Sequence, residues 1–392
     1  MKPAILSIDK KCTGCGACVN ICPRNCLHLA PDDEGFYYPV YDDTVCIDCH
    51  LCEKTCKAIY PHDIPINRNY IYVYHSIDES LREKSTSGGA FTSFANMVLS
   101  KGGVVFATRF NAKTYRVEVS DTDCNNLESF RKSKYVESYV GDAFQKIAEQ
   151  LNKGRDVLFC GTPCQVAGLQ KYLEVKKIDR KNLITIDFVC HGVPSMKCLG
   201  EFLHYEERGK RKVVDVDFRY KDFSKKKTGW HNMVFCEYFK EGGKKVIKPM
   251  NLHYYYYYYV PFLEDRNLRK SCYICNQVLN SCADVTVGDF WGISGYKSII
   301  DDNKGLSFLL FNNKTLEKKW CEITKNDFVE KIPFAPNEKQ YIARPANFDL
   351  TGRNQFYEMV NKYGYMKTVK KMYLKRYYQD WANKLLRFLK RK

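Results

Sequence analysis

No run of eighteen consecutive apolar residues occurs in the sequence, so no membrane-spanning helix is expected. The opening residues, MKPAILSIDKKC, lack the apolar core and cleavage site of a secretory leader. A reducing, cytosolic setting is therefore expected, and disulfides are rare there. No G-x-G-x-x-G follows a strand-like segment, which leaves a Rossmann-type nucleotide site without sequence support. Acidic residues are scarce at one end only. Residues 361–392 carry eleven Lys/Arg and a single Asp, whereas residues 1–60 carry six Lys/Arg and eight Asp/Glu. More than half of the formal charge of +17 thus sits in one terminal tail. That distribution argues against a nucleic-acid footprint spread over a domain and for a local surface role of the tail.

Cysteine, by contrast, is abundant: 19 in 392 residues. In a reducing compartment clustered cysteines more often bind metal than cross-link. Eight of them fall in two runs, CTGCGACVNICP and CIDCHLCEKTC, each spaced C-x2-C-x2-C-x3-C. A [4Fe–4S] cube takes one thiolate on each iron, and three cysteines at two-residue gaps let one loop wrap three corners. The fourth opens a helix directed away from its own loop and reaches the other cube of a duplicated unit. Cys12, Cys15, Cys18 and Cys56 are accordingly expected to hold one cluster, and Cys46, Cys49, Cys52 and Cys22 the other. Gly14 and Gly16 would let the backbone pass close to the sulfides. Pro23 follows the fourth cysteine of the first run, while Lys57 takes that place in the second. Structural zinc is the competing reading, but zinc sites pair C-x2-C knuckles across longer loops or histidines. The unit resembles a bacterial two-cluster ferredoxin. Cys26 has no place in this count and is expected to be structural.

The fold class expected is an α+β ferredoxin-like N-terminal domain (1–66), an α/β domain with a mixed sheet (67–345) and a basic amphipathic helical tail (346–392). The stretch YPHDIPINRN reads as a linker. Beyond residue 70, strand-like segments (GGVVFATRF, YRVEVS, DVLFC, LITIDFVC) alternate with helical ones, pointing to some parallel pairing. VVDVDFRY, NMVFCEYF and KKVIK read as an antiparallel extension, and the tyrosine run at 253–259 as a half-buried helix or strand. In the tail, Met366, Val369, Tyr373, Tyr377, Trp381 and Leu385 recur at spacings of three or four. Packing on the protein's own body and docking to an anionic membrane surface or acidic partner are both open for that stripe.

In VLFCGTPCQVAGL, Thr162 is placed to cap a helix, Pro163 to occupy its first position and Cys164 to lie in the first turn. A thiol there meets the positive helix end, which favours thiolate. Cys190 and His191 end another strand, and ligands of open α/β sheets bind beyond carboxyl strand ends. Cys272 and Cys275 form a C-x2-C pair with Cys282 nearby. Cys164, Cys190, Cys272 and Cys275 would complete a third four-thiolate site, for a cluster or for zinc. Cys124, Cys198, Cys236 and Cys321 read as buried small apolar residues. His191 could assist proton transfer or simply hold a loop, and Asp284 and Asp289 could be turn and cap residues.

The segments STSGGAFTSFANMVLSKGGVVFATRF, LFCGTPCQVAGLQKYL, VCHGVPS, FRYKDFSKKKTGW and SCYICNQVLNSCADVTVGDFWG occur in an order that resembles the family of coenzyme F420 hydrogenase/dehydrogenase beta subunits, across roughly residues 70–300. The resemblance implies a flavoprotein with FAD beside a [4Fe–4S] cluster. It would make Cys164, Cys190, Cys272 and Cys275 cluster ligands, and Ser85, Ser87, Gly88 and Gly89 flavin contacts. The function expected is an iron–sulfur flavoprotein oxidoreductase acting on an unidentified small molecule or carrier, with a redox protein partner. The alternative is an electron-transfer subunit without a substrate of its own, relaying between a partner enzyme and a carrier such as F420.

Overall fold

The computed structural model describes residues 3–59, 70–124, 126–207, 212–221, 229–231, 234–241, 244–250, 254–275, 281–291, 293–296, 299–333 and 350–389. The linker stretch, and the expected boundaries at 66/67 and 345/346, lie outside these residues. The amino-terminal segment places helix α1 (Ala17–Ile21) before the hairpin β1 (Leu27–Pro31) and β2 (Tyr37–Tyr41), then helix α2 (Leu51–Lys54).

The chain then builds a nine-stranded mixed sheet from β3 (Tyr70–His75), β4 (Val104–Asn111), β5 (Arg116–Thr122), β6 (Ser138–Tyr139), β7 (Val157–Cys160), β8 (Leu183–Phe188), β12 (Val285–Asp289), β13 (Ser307–Phe311) and β14 (Phe328–Pro333). Their order is β14-β3-β13-β12-β8-β7-β4-β5-β6. The centre, β12-β8-β7-β4, is parallel. Two antiparallel steps through β13 give β3 the same direction as β12, so both end on the edge where β7 and β8 end. The remaining strands, β9 (Lys212–Tyr220), β10 (Val234–Glu241) and β11 (Lys244–Met250), pair antiparallel as expected, but as a separate three-stranded sheet rather than an extension of the large one.

Side-chain alternation along the strands serves two cores. The short helix α3 (Glu79–Glu83) leads from β3 toward α4 (Ala90–Leu99). Val105, Ala107 and Leu158 face one core, with α4 and Trp320. Val104, Phe106, Val157 and Phe159 face the other, with α5 (Ala143–Asn152) and α6 (Pro163–Lys176). Helix α1 packs against α6 through Ala17 and Ile21, which joins the amino-terminal segment to this second core.

A third core gathers Phe36 and Tyr37, the antiparallel sheet, helix α7 (Met196–Glu206) and the tyrosine run. That run winds as a π-helix over Tyr255–Tyr259, and Tyr256, Tyr257, Tyr258 and Tyr259 are buried rather than half-buried. The carboxyl-terminal helices, Thr351–Tyr363 and Tyr365–Leu389, close this core. Met366, Val369 and Tyr373 of the expected stripe are buried in it and Tyr377 stacks on Tyr257 at 5.5 Å, whereas Trp381 is exposed. The side chain of Leu385 lies outside the described residues. Cys198 and Cys236 are buried as expected, but Cys124 is exposed beside Thr122, on the turn after β5 where no core reaches it. Among the described residues no helix is long and apolar enough to cross a membrane.

Candidate iron–sulfur and cofactor site

The two cysteine runs fold so that each loop receives its fourth thiol from the other. Burial pushes the Cys18 thiol well above the usual range, and next in influence are its neighbours Cys15, Cys12, Cys56 and Cys52. Cys15 is pushed to about 12 by burial, with Cys56, Cys164 and Cys12 acting in the same direction. Cys12, Cys15, Cys18 and Cys56 therefore form one group. Cys22, Cys46, Cys49 and Cys52 line a second small cavity, and Cys26 lines it with them. Cys26 lies 3.3 Å from Cys22, sulfur to sulfur. Burial acts upward on Cys22, but the Cys26 thiol and the backbone N–H groups of Arg24, Cys26 and Leu27 hold it below the ordinary thiol range. The Asp48 N–H donates to Cys46 Sγ at 3.4 Å. Cys49 and Ile47 are exposed, so this second group forms the outer face of the pair.

A third group draws on three separate segments. Thr162 caps α6 in a capping box, its N–H donating to Gln165 Oε1 at 3.1 Å, and Pro163 takes the first helical position. Cys164 is thereby fixed in the first turn, 3.1 Å from Thr162 Oγ1. Cys164, Cys190, Cys272 and Cys275 line one cavity. Burial pushes Cys190 well up, and the next influences are Cys272, Cys164 and Cys275. Burial likewise takes Cys272 to about 12.

Thiols crowded in this way raise one another's proton affinity, and a cationic iron core relieves that repulsion when the protons leave. Among the described residues no three His, Cys, Asp or Glu side chains converge closely enough for a single ion. A four-iron cube instead takes one thiolate at each corner of a wider cage. The residues fit such clusters.

Between the first and third groups lies Arg269, 1% exposed. Its Nε donates to Cys12 O at 2.8 Å and its Nη2 to Tyr37 O at 2.9 Å, with Cys12 Sγ 3.7 Å from Nη2. Its Nη1 pairs with Glu137, and the guanidinium lies 4.1 Å from the centre of the Tyr38 ring. Burial pushes the Glu137 carboxyl up to about 7, against the pull of Arg269 and the Tyr37 N–H. Gly14, at φ +69°, leaves the room this pair needs: a Cβ there would meet Arg269 and Glu137 at 2.9 Å each.

A larger cavity of about 430 Å³ adjoins the third group across Cys190, His191, Gly192 and Val193. Its size suits a small-molecule or cofactor site, which spans roughly 300–1,000 Å³. Ser85, Ser87 and Gly89 line it, as do Lys134, Arg219 and Trp291. Gly88 serves the fold instead: its N–H donates to Ser307 Oγ at 2.9 Å, and a Cβ would strike Tyr74 O at 2.1 Å. Ser87 Oγ donates to Leu306 O, and Ser85 Oγ to Leu81 O at 2.8 Å. The loop is held from beneath by Lys221, whose Nζ donates to the carbonyls of Arg82, Ser87 and Lys304 at 3.1, 3.2 and 2.6 Å. Burial lowers Lys134 to about 8, and two of its N–H donors go to Arg131 O and Lys132 O. Arg219 donates to Tyr135 and Asp289, yet its Nη2 is buried without a hydrogen-bond partner among the described residues. Such an orphaned cationic donor on a cavity wall fits an anionic or carbonyl-bearing group, as a flavin nucleotide is.

His191 Nε2 lies 2.8 Å from Asp265 Oδ1 and its ring packs edge-on against Phe262. It lines both cavities. Asp284 ties strands, accepting from the N–H and hydroxyl of Thr185 at 2.8 and 2.7 Å. Asp289 accepts from Arg219 at 2.9 Å. Sequence reasoning missed Arg269, Glu137, Arg219 and Lys221. The only local signal was that Arg219 and Lys221 flank Tyr220 in the FRYKDF segment.

Residues 154–337 match the family described as the C terminus of the coenzyme F420 hydrogenase/dehydrogenase beta subunit, and residues 11–58 match the 4Fe-4S dicluster domain. One subunit of the F(420)H(2) dehydrogenase of Methanosarcina mazei is 22% identical over 318 residues, covering 76% of this chain and 82% of that protein. An uncharacterized ferredoxin of Methanocaldococcus jannaschii is 40% identical over 76 residues, covering 18% of this chain and 97% of the relative. A solved structure of the F420-reducing [NiFe] hydrogenase complex from Methanosarcina barkeri includes a chain 15% identical at a TM-score of 0.45, covering 80% of this chain and 95% of that one.

Proposed function

From a chain that belongs to the family of coenzyme F420 hydrogenase/dehydrogenase beta subunits through residues 154–337, with a 4Fe–4S dicluster domain at residues 11–58, we propose an iron–sulfur flavoprotein oxidoreductase. One observation carries this reading. Four cysteines from three distant segments line a single cavity, and that cavity adjoins both the first group's loop, at Thr13 and Gly14, and the 430 Å³ cavity. Clusters held by Cys12, Cys15, Cys18 and Cys56, by Cys22, Cys46, Cys49 and Cys52, and by Cys164, Cys190, Cys272 and Cys275 would lie in series toward that cavity. Ser85, Ser87, Gly89, Lys134 and Arg219 would hold FAD there. Bound FAD would supply exchange between two-electron substrate chemistry and one-electron carriers.

The chain's own residues have definable tasks in this scheme. Cysteine thiolates fix the carriers at short separations. Lys221 and Arg82 keep the 85–89 loop rigid, with Arg82 Nε on Gly305 O at 2.9 Å and its fork on Asp302. Arg219 and Lys134 offer positive charge to an anionic ligand. His191, oriented by Asp265, is placed to hold or release a proton at Nε2 between the two cavities.

Anaerobic purification followed by iron, sulfide and flavin quantification tests the proposal. About twelve irons and one flavin per chain are expected for three cubes, about eight for two. Iron without flavin would reduce the function to relay. That second reading has specific support, because the Methanosarcina mazei relative is named as a subunit of a dehydrogenase. Turnover of a two-electron acceptor by the isolated chain, supplied with dithionite, would exclude a pure relay.

A further inference from the structure

We infer that Arg269 sets the reduction potential of the amino-terminal cluster held through Cys12, so that this cluster is tuned by a residue 257 positions downstream. The inference rests on the proposal that the first cysteine group holds a cube. Three observations carry it. Arg269 is almost wholly buried, which strengthens its field and removes competition from water. It touches Cys12 twice, through the backbone carbonyl at 2.8 Å and the sulfur at 3.7 Å. Its approach needs the missing side chain of Gly14, in the loop between Cys12 and Cys15.

Donors directed at cluster sulfurs, and net charge near them, are what set such potentials. Each one-electron uptake adds a negative charge to the cube. A buried cation beside Cys12 favours that reduced charge state and raises the potential. Glu137, paired to Arg269 Nη1, opposes it and moderates the effect. Among the described residues the other cube has no buried arginine in its wall, since its cavity is lined by Cys22, Cys26, Cys46, Cys49 and Cys52 with Arg24 at the rim. The half-buried Cys12 group and the solvent-facing group would then have different potentials.

The test is an anaerobic redox titration of the full chain followed by EPR, with Cys49→Ser used to assign the two amino-terminal signals. Replacing the pair by a neutral one, Arg269→Met with Glu137→Gln, avoids leaving a buried charge unpaired. It is expected to lower the reduced-to-oxidised ratio of the Cys12 cube about tenfold at a fixed potential, about 59 mV for one electron. Glu137→Gln alone should shift the same cube in the opposite direction, and Arg269→Lys should hold it near the parent value. The second cube should stay in place throughout. Equal shifts of both cubes, or no shift in a chain that retains both, would overturn the inference alone. A parent chain that takes up no iron would overturn the underlying reading and the inference with it.

Discussion

At Gly168 one absent methyl group lets the amino-terminal segment reach the rest of the chain. A Cβ there would lie 2.9 Å from Cys15 Sγ and 3.1 Å from Cys15 Cβ. Glycine inside a helix is about 1 kcal/mol less favourable than alanine, so α6 gives up some stability to admit the cysteine. Gly168→Val should displace Cys15 and lower the iron content by about four per chain, with the Cys49-containing cube retained. Unchanged iron would contradict that. The grouping of the cysteines was legible in the sequence because three members of each group sit on one short loop. Gly168 and Arg269 were not, because their meaning depends on partners more than a hundred positions away. Cys124 misled for a related reason: a lone cysteine carries no local sign of whether a core will reach it.

At the scale of the element, α6 shows why a strand-to-helix turn can hold a ligand firmly. Its capping box satisfies backbone donors at the first turn, and Pro163 presets the backbone there. Cys164 then has little freedom. Thr162→Ala should destabilise the chain by about 1 kcal/mol, measurable in denaturant, and should perturb the EPR signal of the proposed third cluster before it affects the other two. A signal change confined to the amino-terminal cubes would count against this placement. The cap, the proline and the helix after them were readable from GTPCQ alone. The order of strands was not, since β3 joins β13 across more than two hundred residues and nothing local encodes that pairing. The composition of the tyrosine run fits either a strand or a helix and points to half-burial. Its deep burial comes from α7 and the carboxyl-terminal helix closing over it.

Over the whole molecule, the basic tail helix has a buried stretch followed by one with exposed aromatic side chains. Tyr365, Met366, Val369 and Tyr373 are buried, whereas Tyr378 and Trp381 are exposed. Burying a large apolar side chain is worth roughly 1.5–3 kcal/mol, so the four together contribute roughly 6–12 kcal/mol, comparable to a typical total stability of about 5–15 kcal/mol. A chain ending at Gly364 should therefore fail to unfold cooperatively, while one ending at Asn383 should melt like the parent. Circular dichroism on both distinguishes the outcomes. If the shorter chain melts normally, the tail is not part of the third core's support.

The contrast between exposed Cys49 and the half-enclosed Cys12 group has a practical consequence for handling. Dioxygen and peroxide arrive from solvent, so damage would begin at the rim and travel inward, one cage at a time. A briefly aerated sample would lose part of its brown colour first while keeping its inner centres, and its iron would fall in discrete steps instead of a smooth decline.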